Sequence, residues 1–592
     1  MWRVSSLRSD VIFHRTWAPN VEKAPKSLPT LRFGAFEVDF QAGELRRSGV
    51  RVRVQDQPFQ VLTALLERPG QVITRDELRR KIWSTGTFVD FDQGLNKAMN
   101  RLREALGDPA NIPKFIETLP RRGYRFIARV ERKINSIVIL PLENLSGDPA
   151  REYWAEGLTD ELITRVAQIV DLRVISRTSA MRFKHSPKAP SELGRELGVD
   201  AMVEGSVVLS DRRVRIRIQL VDLSTDQHLW ADSFERELGD VVTLQVEIAQ
   251  AIARQIRALL APEEKARVAR KGSVNPEAYD AYLRGRFFWA KRTEEGVEKS
   301  FGCFTEAISL DPTYSAAYAG LADSHLMLGI FGIRSPHDYC PKARAAAERA
   351  LQLDETIAEA HNSLAAVRHL YDWNWPGAEQ EFRRALELNP NYAVAHQWYA
   401  SLLSGLGRHE EALTEVLWAR ELDPLSLVIN AFVGFIHMRA RRYDQAIEVC
   451  AKAVELDPTN PFGHWILARS LDARDQLREA LAQSGEAVRL SGNRSPYSAH
   501  LGYAYAKVDD SQRACEVLDH LRERSRTEYV SPYHFVLIYT GLGESDLAFE
   551  WLEKAFEERT ARLTGELSER VFDRFRSDPR FQHLVRRIGL QL

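Results

Sequence analysis

Apolar residues recur along this chain with three spacings, and each spacing predicts a different architecture. Over residues 31–54 they fall at every second position: Phe33, Phe36, Val38 and Phe40, then Leu45, then Val50, Val52 and Val54, with Gly43 and Gly49 between them. A period of two places those side chains on one face of a strand, so the stretch predicts a small antiparallel sheet. The spacing then lengthens. Phe59, Leu62, Leu65 and Leu66 predict a helix over 58–68, which Pro69-Gly70 ends. Thr74 followed by Glu77 forms a capping-box pattern leading into Leu78, Ile82 and Trp83. A third helix is predicted over 91–106, with Leu95, Met99, Leu102 and Leu106 on one side and Ala98 and Ala105 flanking them. Its opposite side carries Gln93, Asn96, Lys97, Asn100 and Glu104, with Arg101 beside them. Asp92 is placed to cap its start, and Gly107 with Pro109 stops its end. Phe115, Glu117 and Leu119 then alternate with polar or small neighbours. Pro120-Arg121-Arg122-Gly123 turns the chain, and Tyr124, Arg125 and Phe126 return as a hairpin.

After Arg132-Lys133 the pattern mixes. SIVILPL over 136–142 reads as a buried strand, and Leu162, Ile163, Val166 and Ile169 mark a helix within 149–170. Further strands are expected at 172–175 and 201–209, with a short helix at 191–197 between them. Val214, Ile216, Ile218 and Leu220 alternate with Arg215, Arg217 and Gln219, a half-exposed strand that 228–234 can pair with. A long helix is expected over 241–260. This order predicts a compact α/β domain with a mixed sheet over 134–262.

From about residue 275 the sequence repeats. Alanine occupies positions 343, 378, 412, 446, 480, 514 and 548, and seven residues later come Ala350, Ala385, Ala419, Ala453, Ala487, Leu521 and Ala555. Pro312, Pro390, Pro424 and Pro458 sit between units. This is the 34-residue tetratricopeptide period. Each unit is a helix pair whose small residues let neighbouring helices approach, and proline breaks the chain between units. The register gives eight units over 275–592. The second is lengthened around 329–338 and the third by one residue near 373–375, and the tail DRFRSDPRFQHLVRRIGL is expected to form a final capping helix.

Charge changes the picture at one end only. The chain of 592 residues has a net charge of −1. Residues 31–133 nevertheless hold 20 Lys and Arg against 13 Asp and Glu, while 134–592 is acidic. Affinity for polyanions therefore belongs to the amino end. Cys303, Cys340, Cys450 and Cys515 show no CxxC spacing, which excludes a disulfide framework or a zinc site as the reading and fits a reducing compartment. No apolar run is long enough for a membrane helix, the candidate at 427–438 lying inside a repeat. Residues 1–30 lack a secretion-signal pattern and read as a flexible arm. The expected location is the cytoplasm.

Glutamine, asparagine, lysine and arginine on one helix face are the side chains that read base edges in a major groove, and two arginines at a hairpin tip suit a minor groove or its phosphates. A solvated surface is the bland alternative for either feature alone. Their adjacency, after two other helices, favours a winged helix that binds double-stranded DNA. The segments QPFQVLTALLERPGQVITRDELRRKIW, LNKAMNRLREALGD and FIETLPRRGYRFIARV resemble, in order, the first two helices, the recognition helix and the wing of the OmpR/PhoB-type effector domain. The resemblance implies sequence-specific DNA binding, often in tandem copies, and is compatible with a homodimer on tandem sites. It assigns major-groove reading to Asn96, Lys97, Asn100 and Arg101, with Gln93 on the same face. It assigns phosphate or minor-groove contact to Arg103, Arg121 and Arg122. No phospho-acceptor receiver precedes the domain, so control through an amino-terminal aspartate is not expected. The segments LPLENLSGD, YWAEGLTDELITRV, LRVISRTSA and ELGVDAMVEGSVV resemble the TolB-amino-terminal-like domain, which implies a fold and no chemistry. A small ligand near Ser176, Arg177, Thr178 and Ser179, after a strand end, is weighed against simple turn capping, which is favoured.

The chain has no GxxxxGK[ST], GxGxxG after a strand, HExxH or GxSxG, so no catalytic residue, cofactor or metal is expected. A histidine line at His361, His396, His437 and His464 on the first helices of the repeats is weighed as a pH-sensitive or metal-binding stripe against ordinary surface polarity, which is favoured. The fold class expected is a winged helix-turn-helix, a small α/β mixed-sheet domain and an all-α tetratricopeptide solenoid. The function expected is a one-component DNA-binding regulator, CadC-like in layout without the membrane helix, whose repeat groove binds a protein or peptide. The rivals are an interaction scaffold whose winged helix contacts protein and, more remotely, a cyclase-like enzyme.

Overall fold

The computed structural model describes residues 30–590 except 41, 48, 83–90, 133, 171, 211–212, 257–273 and 331. The expected arm over 1–30 and the inward Trp83 thus fall, but for Thr30, outside the described residues. The chain forms two compact units, the first ending at Lys133 and the second beginning at Ile134.

The first unit runs β1 (Leu31–Phe33), β2 (Phe36–Asp39), β3 (Glu44–Arg47), β4 (Val50–Val52), α1 (Asp56–Glu67), β5 (Val72–Thr74), α2 (Arg75–Ile82), α3 (Phe91–Leu106), β6 (Ile116–Leu119), β7 (Gly123–Phe126) and β8 (Glu131–Arg132). Strands β1 to β4 form the expected antiparallel meander, with Val38 opposite Leu45 and Leu45 opposite Val52. Strand β8 adds to the outer edge of β1, pairing Leu31 with Arg132, a contribution too short to leave a period in the sequence. A second sheet has the order β5-β7-β6. The alternation expected in β6 is offset by one residue: Ile116 is buried, while Glu117 and Leu119 are only half-buried. The Phe33 ring meets Phe126 edge-on at 4.9 Å and Phe115 at 5.3 Å, and these rings join Leu62, Leu65, Leu95 and Leu102 in one core.

The second unit opens with β9 (Ser136–Ile139), β10 (Glu143–Asn144), α4 (Glu152–Val166), β11 (Arg173–Val174), α5 (Arg177–Met181), α6 (Pro190–Leu197), β12 (Ala201–Leu209), β13 (Arg213–Asp222), β14 (Gln227–Glu237) and α7 (Val241–Gln255). Its sheet is mixed, as the pattern predicts. β11, β9 and β12 run parallel, β12, β13 and β14 antiparallel, and β10 continues beside β12. Val214, Ile216, Ile218 and Leu220 are buried, whereas Arg213, Arg215 and Arg217 are exposed.

Eight helix pairs follow among the described residues, from Pro276–Ala290 with Glu294–Leu310 to Pro532–Leu542 with Ser545–Glu557. Ala343, Ala378, Ala412, Ala446, Ala480, Ala514 and Ala548 are all buried, as the repeat register requires. The one-residue lengthening of the third unit appears as a π-helical turn over Arg368–Asp372, closed by Trp373 at φ 57°.

The α/β domain and the solenoid share a core in which Trp154 and Leu158 pack with Tyr279 and Leu283. Asn391, between two repeats, donates through Nδ2 to the carbonyls of Ala167 (2.8 Å) and Leu172 (2.9 Å) and accepts from the Val174 amide (3.1 Å). Ser179, weighed above as part of a ligand site, instead donates to Asp423 and accepts from the Leu425 amide at 2.9 Å, while the Ser176 amide donates to the Leu422 carbonyl. These residues join the domain to the solenoid.

The tail departs from a simple cap. Short 3-10 turns between Ala561 and Phe575 cross repeats three to eight before the final helix Pro579–Ile588, whose Ile588 carbonyl accepts from Trp375 Nε1 of the third repeat at 3.2 Å. A Cβ on Gly405 would lie 2.6 Å from the Thr564 carbonyl oxygen. Arg441 pairs with Asp573 at 2.6 Å, Arg570 with Asp475 at 2.7 Å, and Arg574 donates to the Thr540 carbonyl at 2.9 Å. The chain's own segment therefore fills that part of the groove.

Candidate nucleic-acid interface

Helix α3 is positioned by what it buries: Leu95, Ala98, Met99, Leu102 and Leu106 are all at or below 3 % exposure. Its outward side presents Gln93, Asn96, Lys97, Asn100, Arg101 and Glu104, all exposed. Helix α2 begins where expected. The Glu77 amide donates to Thr74 Oγ1 at 3.2 Å, and the Thr74 amide donates back to Glu77 Oε2 at 2.8 Å. The Thr74 amide and hydroxyl hold the Glu77 carboxyl below its ordinary range.

Arg75, first residue of α2, was invisible to the sequence pattern yet ties the interface together. Its Nε lies 3.3 Å from Asp92 Oδ1, and its Nη2 donates to Asn96 Oδ1 at 2.7 Å. Its guanidinium also sits 5.8 Å above the Tyr124 ring of β7. Asp92 is thus engaged with Arg75. Only contacts 17 and 21 residues away along the chain reveal Arg75, and no local spacing encodes them.

The remaining assigned residues divide. Lys97 and Asn100 make no side-chain hydrogen bond or ion pair among the described residues. Arg101 donates to Gln55 Oε1 beside the start of α1. Arg121 and Arg122 are exposed at the hairpin tip, where Arg121 adopts φ 62° and the Arg122 amide donates to the Leu119 carbonyl at 3.0 Å. The hairpin is braced by Arg125, which donates to Glu117 through Nε at 2.8 Å. It leaves no room at Gly123, where a Cβ would stand 2.0 Å from the Ile73 carbonyl oxygen of β5.

Arg103 requires a correction. It is 6 % exposed, and its Nη2 donates to the Ile116 carbonyl at 2.9 Å and to Thr118 Oγ1 at 2.8 Å. It holds β6 against α3 and faces no nucleic acid, because position 103 lies next to the apolar stripe and a long side chain there turns inward. Arg103→Ala is expected to lower the melting temperature of the first unit, at a cost of about 2 kcal/mol from the lost charged hydrogen bonds. Melting unchanged together with weakened DNA binding would restore the contact role.

The other sequence candidates resolve as scaffolding. His361, His396 and His464 occupy one repeat position, and their Nε2 atoms lie 2.9–3.0 Å from the carbonyls of Glu355, Pro390 and Pro458. Each Nδ1 meets the second helix of its own repeat, at Glu381, Glu415 or Gln483. Asn430 fills the same place in the fifth repeat, donating to the Pro424 carbonyl at 2.9 Å. His437 is out of this register. No group of three or more potential metal ligands occurs among the described residues. Arg215 is paired with Glu235 across the sheet at 2.7 Å. A groove of about 850 Å³ does exist on the α/β domain, but at Leu140, His185, Glu204 and Arg217 rather than near Ser176.

Residues 49–126 match the family described as "Transcriptional regulatory protein, C terminal". The amino-terminal unit is a transcriptional-regulator winged helix. Residues 381–414 and 429–460 match tetratricopeptide repeats, which the helix pairs embody. These matches lie outside 134–262, and none of them shows the TolB-type domain that the sequence of that segment resembles. The chain is 24% identical over 417 residues to "Transcriptional regulator HilA" of Salmonella typhimurium, covering 69% of this chain and 73% of that protein. It is 32% identical over 232 residues to "Putative adenylate cyclase 3" of Rhizobium meliloti, covering 39% of each. It therefore spans well under half of that relative. Yeast Tom70 is a structural neighbour at 18% identity and a TM-score of 0.36, covering 52% of this chain and 67% of that one. No helix among the described residues is long and apolar enough to cross a membrane.

Proposed function

We propose that this protein is a one-component transcription regulator whose winged helix reads promoter DNA and whose solenoid receives a protein or peptide signal. The observation that carries the reading is the exposed row Asn96, Lys97, Asn100 and Arg101 on a helix whose other side is fully committed to the core. Gln93 extends that row, and Arg121 and Arg122 supply the cations for the backbone. Two further proposals follow, that the protein works in the cytoplasm, where its DNA is, and that two copies occupy tandem sites. The similarity to a protein named transcriptional regulator over 417 residues supports the same assignment and a role without catalysis.

The solenoid's partner has less of the groove than eight repeats would suggest, since the tail reaches from the eighth repeat to the third. We place the signal on the inner face of the first two repeats. Arg292 lies there, stacked on Trp289 at 3.8 Å and donating to Met327 Sδ at 3.2 Å.

The test is salt-dependent binding of a natural promoter fragment by the full chain. Asn100→Ala with Arg101→Ala is expected to cost at least tenfold in affinity, with folding intact, because each base contact contributes about 1–3 kcal/mol of discrimination. Equal affinity for promoter and random DNA would instead favour a non-specific role, and no salt-dependent DNA binding at all would favour a scaffold whose winged helix meets protein.

A further inference from the structure

Asn96 and Asn100 are equivalent in sequence, one turn apart on the same face of α3, but the structure makes them chemically different. Asn96 Oδ1 accepts from Arg75 Nη2 at 2.7 Å and from the Tyr124 hydroxyl at 3.4 Å. An amide oxygen offers two lone pairs: the short bond from Arg75 takes one, and the Tyr124 hydroxyl stands at the far limit of hydrogen bonding beside the other. Arginine has no acceptor, so the oxygen must be the end of the amide that faces it. The guanidinium is itself fixed by Asp92 at 3.3 Å and by the Tyr124 ring beneath it. What Asn96 has left to present is its Nδ2, two donors and no acceptor. Asn100 has no side-chain partner among the described residues and keeps both.

Asparagine reads adenine by a two-point contact in which Nδ2 donates to N7 and Oδ1 accepts from the N6 amino group. Asn100 can make that contact; Asn96 cannot. Guanine presents two acceptors, O6 and N7, and thymine presents O4. We propose that Asn96 is a donor-only reader that selects guanine or thymine and discriminates against adenine, with Arg75 and Tyr124 as the positioning residues that impose this choice. The inference rests on α3 being the DNA-reading helix.

Selection of bound sequences from randomised duplexes by the full chain tests it. In Asn96→Ala one base position should lose its preference, and the unaltered protein should favour guanine or thymine over adenine there by about tenfold. Arg75→Ala combined with Tyr124→Phe releases the amide and should move that same position toward adenine. Asn96→Asp keeps the acceptor for Arg75 but has no donors, so it should abolish the preference while circular dichroism and melting stay unchanged. Adenine at that position in the unaltered protein overturns the inference. So does a guanine or thymine preference that survives either Asn96→Asp or release by the double variant, or an Asn96→Ala that moves no position. Failure of the unaltered protein to enrich any motif overturns the DNA-reading function itself, an outcome distinct from those.

Discussion

Asp108→Ala is expected to cost the winged helix most of its stability while leaving the second unit untouched. Asp108 is 1 % exposed and sits just past α3. Its Oδ1 accepts from the amides of Lys114 and Phe115, and its Oδ2 from the amide of Ile116 at 2.8 Å. One carboxylate thus closes the connector that carries the chain from the recognition helix into the wing. Gly107, at φ 62°, makes the turn that puts it there. Alanine would leave three donors without that acceptor, the Ile116 amide in the buried core and those of Lys114 and Phe115 at its half-buried edge. At about 1.5–3 kcal/mol for each charged hydrogen bond, with losses that overlap, the cost comes to roughly 4 kcal/mol or more. A domain of this size has only about 5–15 kcal/mol in total. Asp108→Asn should fall between, because its amide keeps one acceptor but turns a donor toward the remaining backbone donors. The measurement is amide hydrogen exchange by mass spectrometry on the full chain. Protection over β6, β7 and the end of α3 should drop sharply in Asp108→Ala, with the solenoid unchanged. Unaltered protection there would remove Asp108 from this role.

Asp108 also marks how far the sequence can be read. The stop at Gly107 and Pro109 is a local signal, and so are the capping box at Thr74 and Glu77 and the apolar stripe of α3; all three appear as expected. What closes the connector is a bond set between Asp108 and residues six to eight positions later, and its only sequence trace is an aspartate in a turn. Arg103 was misplaced for a related reason. Helical spacing puts it at the margin of the polar face, and whether its stem lies inward depends on the hairpin that arrives 13 residues later. Arg75 was missed because its partners lie on the next helix and the wing. The solenoid shows the same division. Its 34-residue period fixed eight helix pairs, since each pair needs only its neighbours. The same period draws attention to a line of four histidines as chemistry, when the regularity of His361, His396 and His464 reflects a repeated tie between a helix and the turn before it. The route of the tail across the groove has no period at all, so nothing local announced it.

That route rests on buried ions, and it gives the last prediction. Arg469 is 8 % exposed, between the rings of Trp465 at 4.5 Å and Phe435 at 5.3 Å. It pairs with Glu566 at 3.4 Å and with Glu569 of the tail. Burial raises the Glu566 carboxyl, but the charges of Arg469 and then Arg562 outweigh it and hold it below its ordinary range. Burial pushes Glu569 the other way, with Arg469 only partly offsetting it. Removing one member of such a cluster leaves charge without compensation, at about 3–5 kcal/mol. Arg469→Ala is therefore expected to loosen the segment between Ala561 and Phe575, read as faster proteolysis there and a lower melting temperature of the second unit. Replacing the whole cluster tests the cause. Arg439 belongs to the same cluster, 7 % exposed and 3.6 Å from Glu569. Arg439→Met and Arg469→Met with Glu566→Gln and Glu569→Leu therefore remove the buried charges together, and buried ion pairs replaced by apolar residues of similar volume are often neutral or stabilising. The quadruple variant should recover much of the lost stability. If Arg469→Ala alone left melting and proteolysis unchanged, the apolar anchors Leu563, Leu567, Phe572 and Phe575 would suffice to seat the tail without these charges. The cluster would then serve to fix the register of the segment rather than to hold it in the groove.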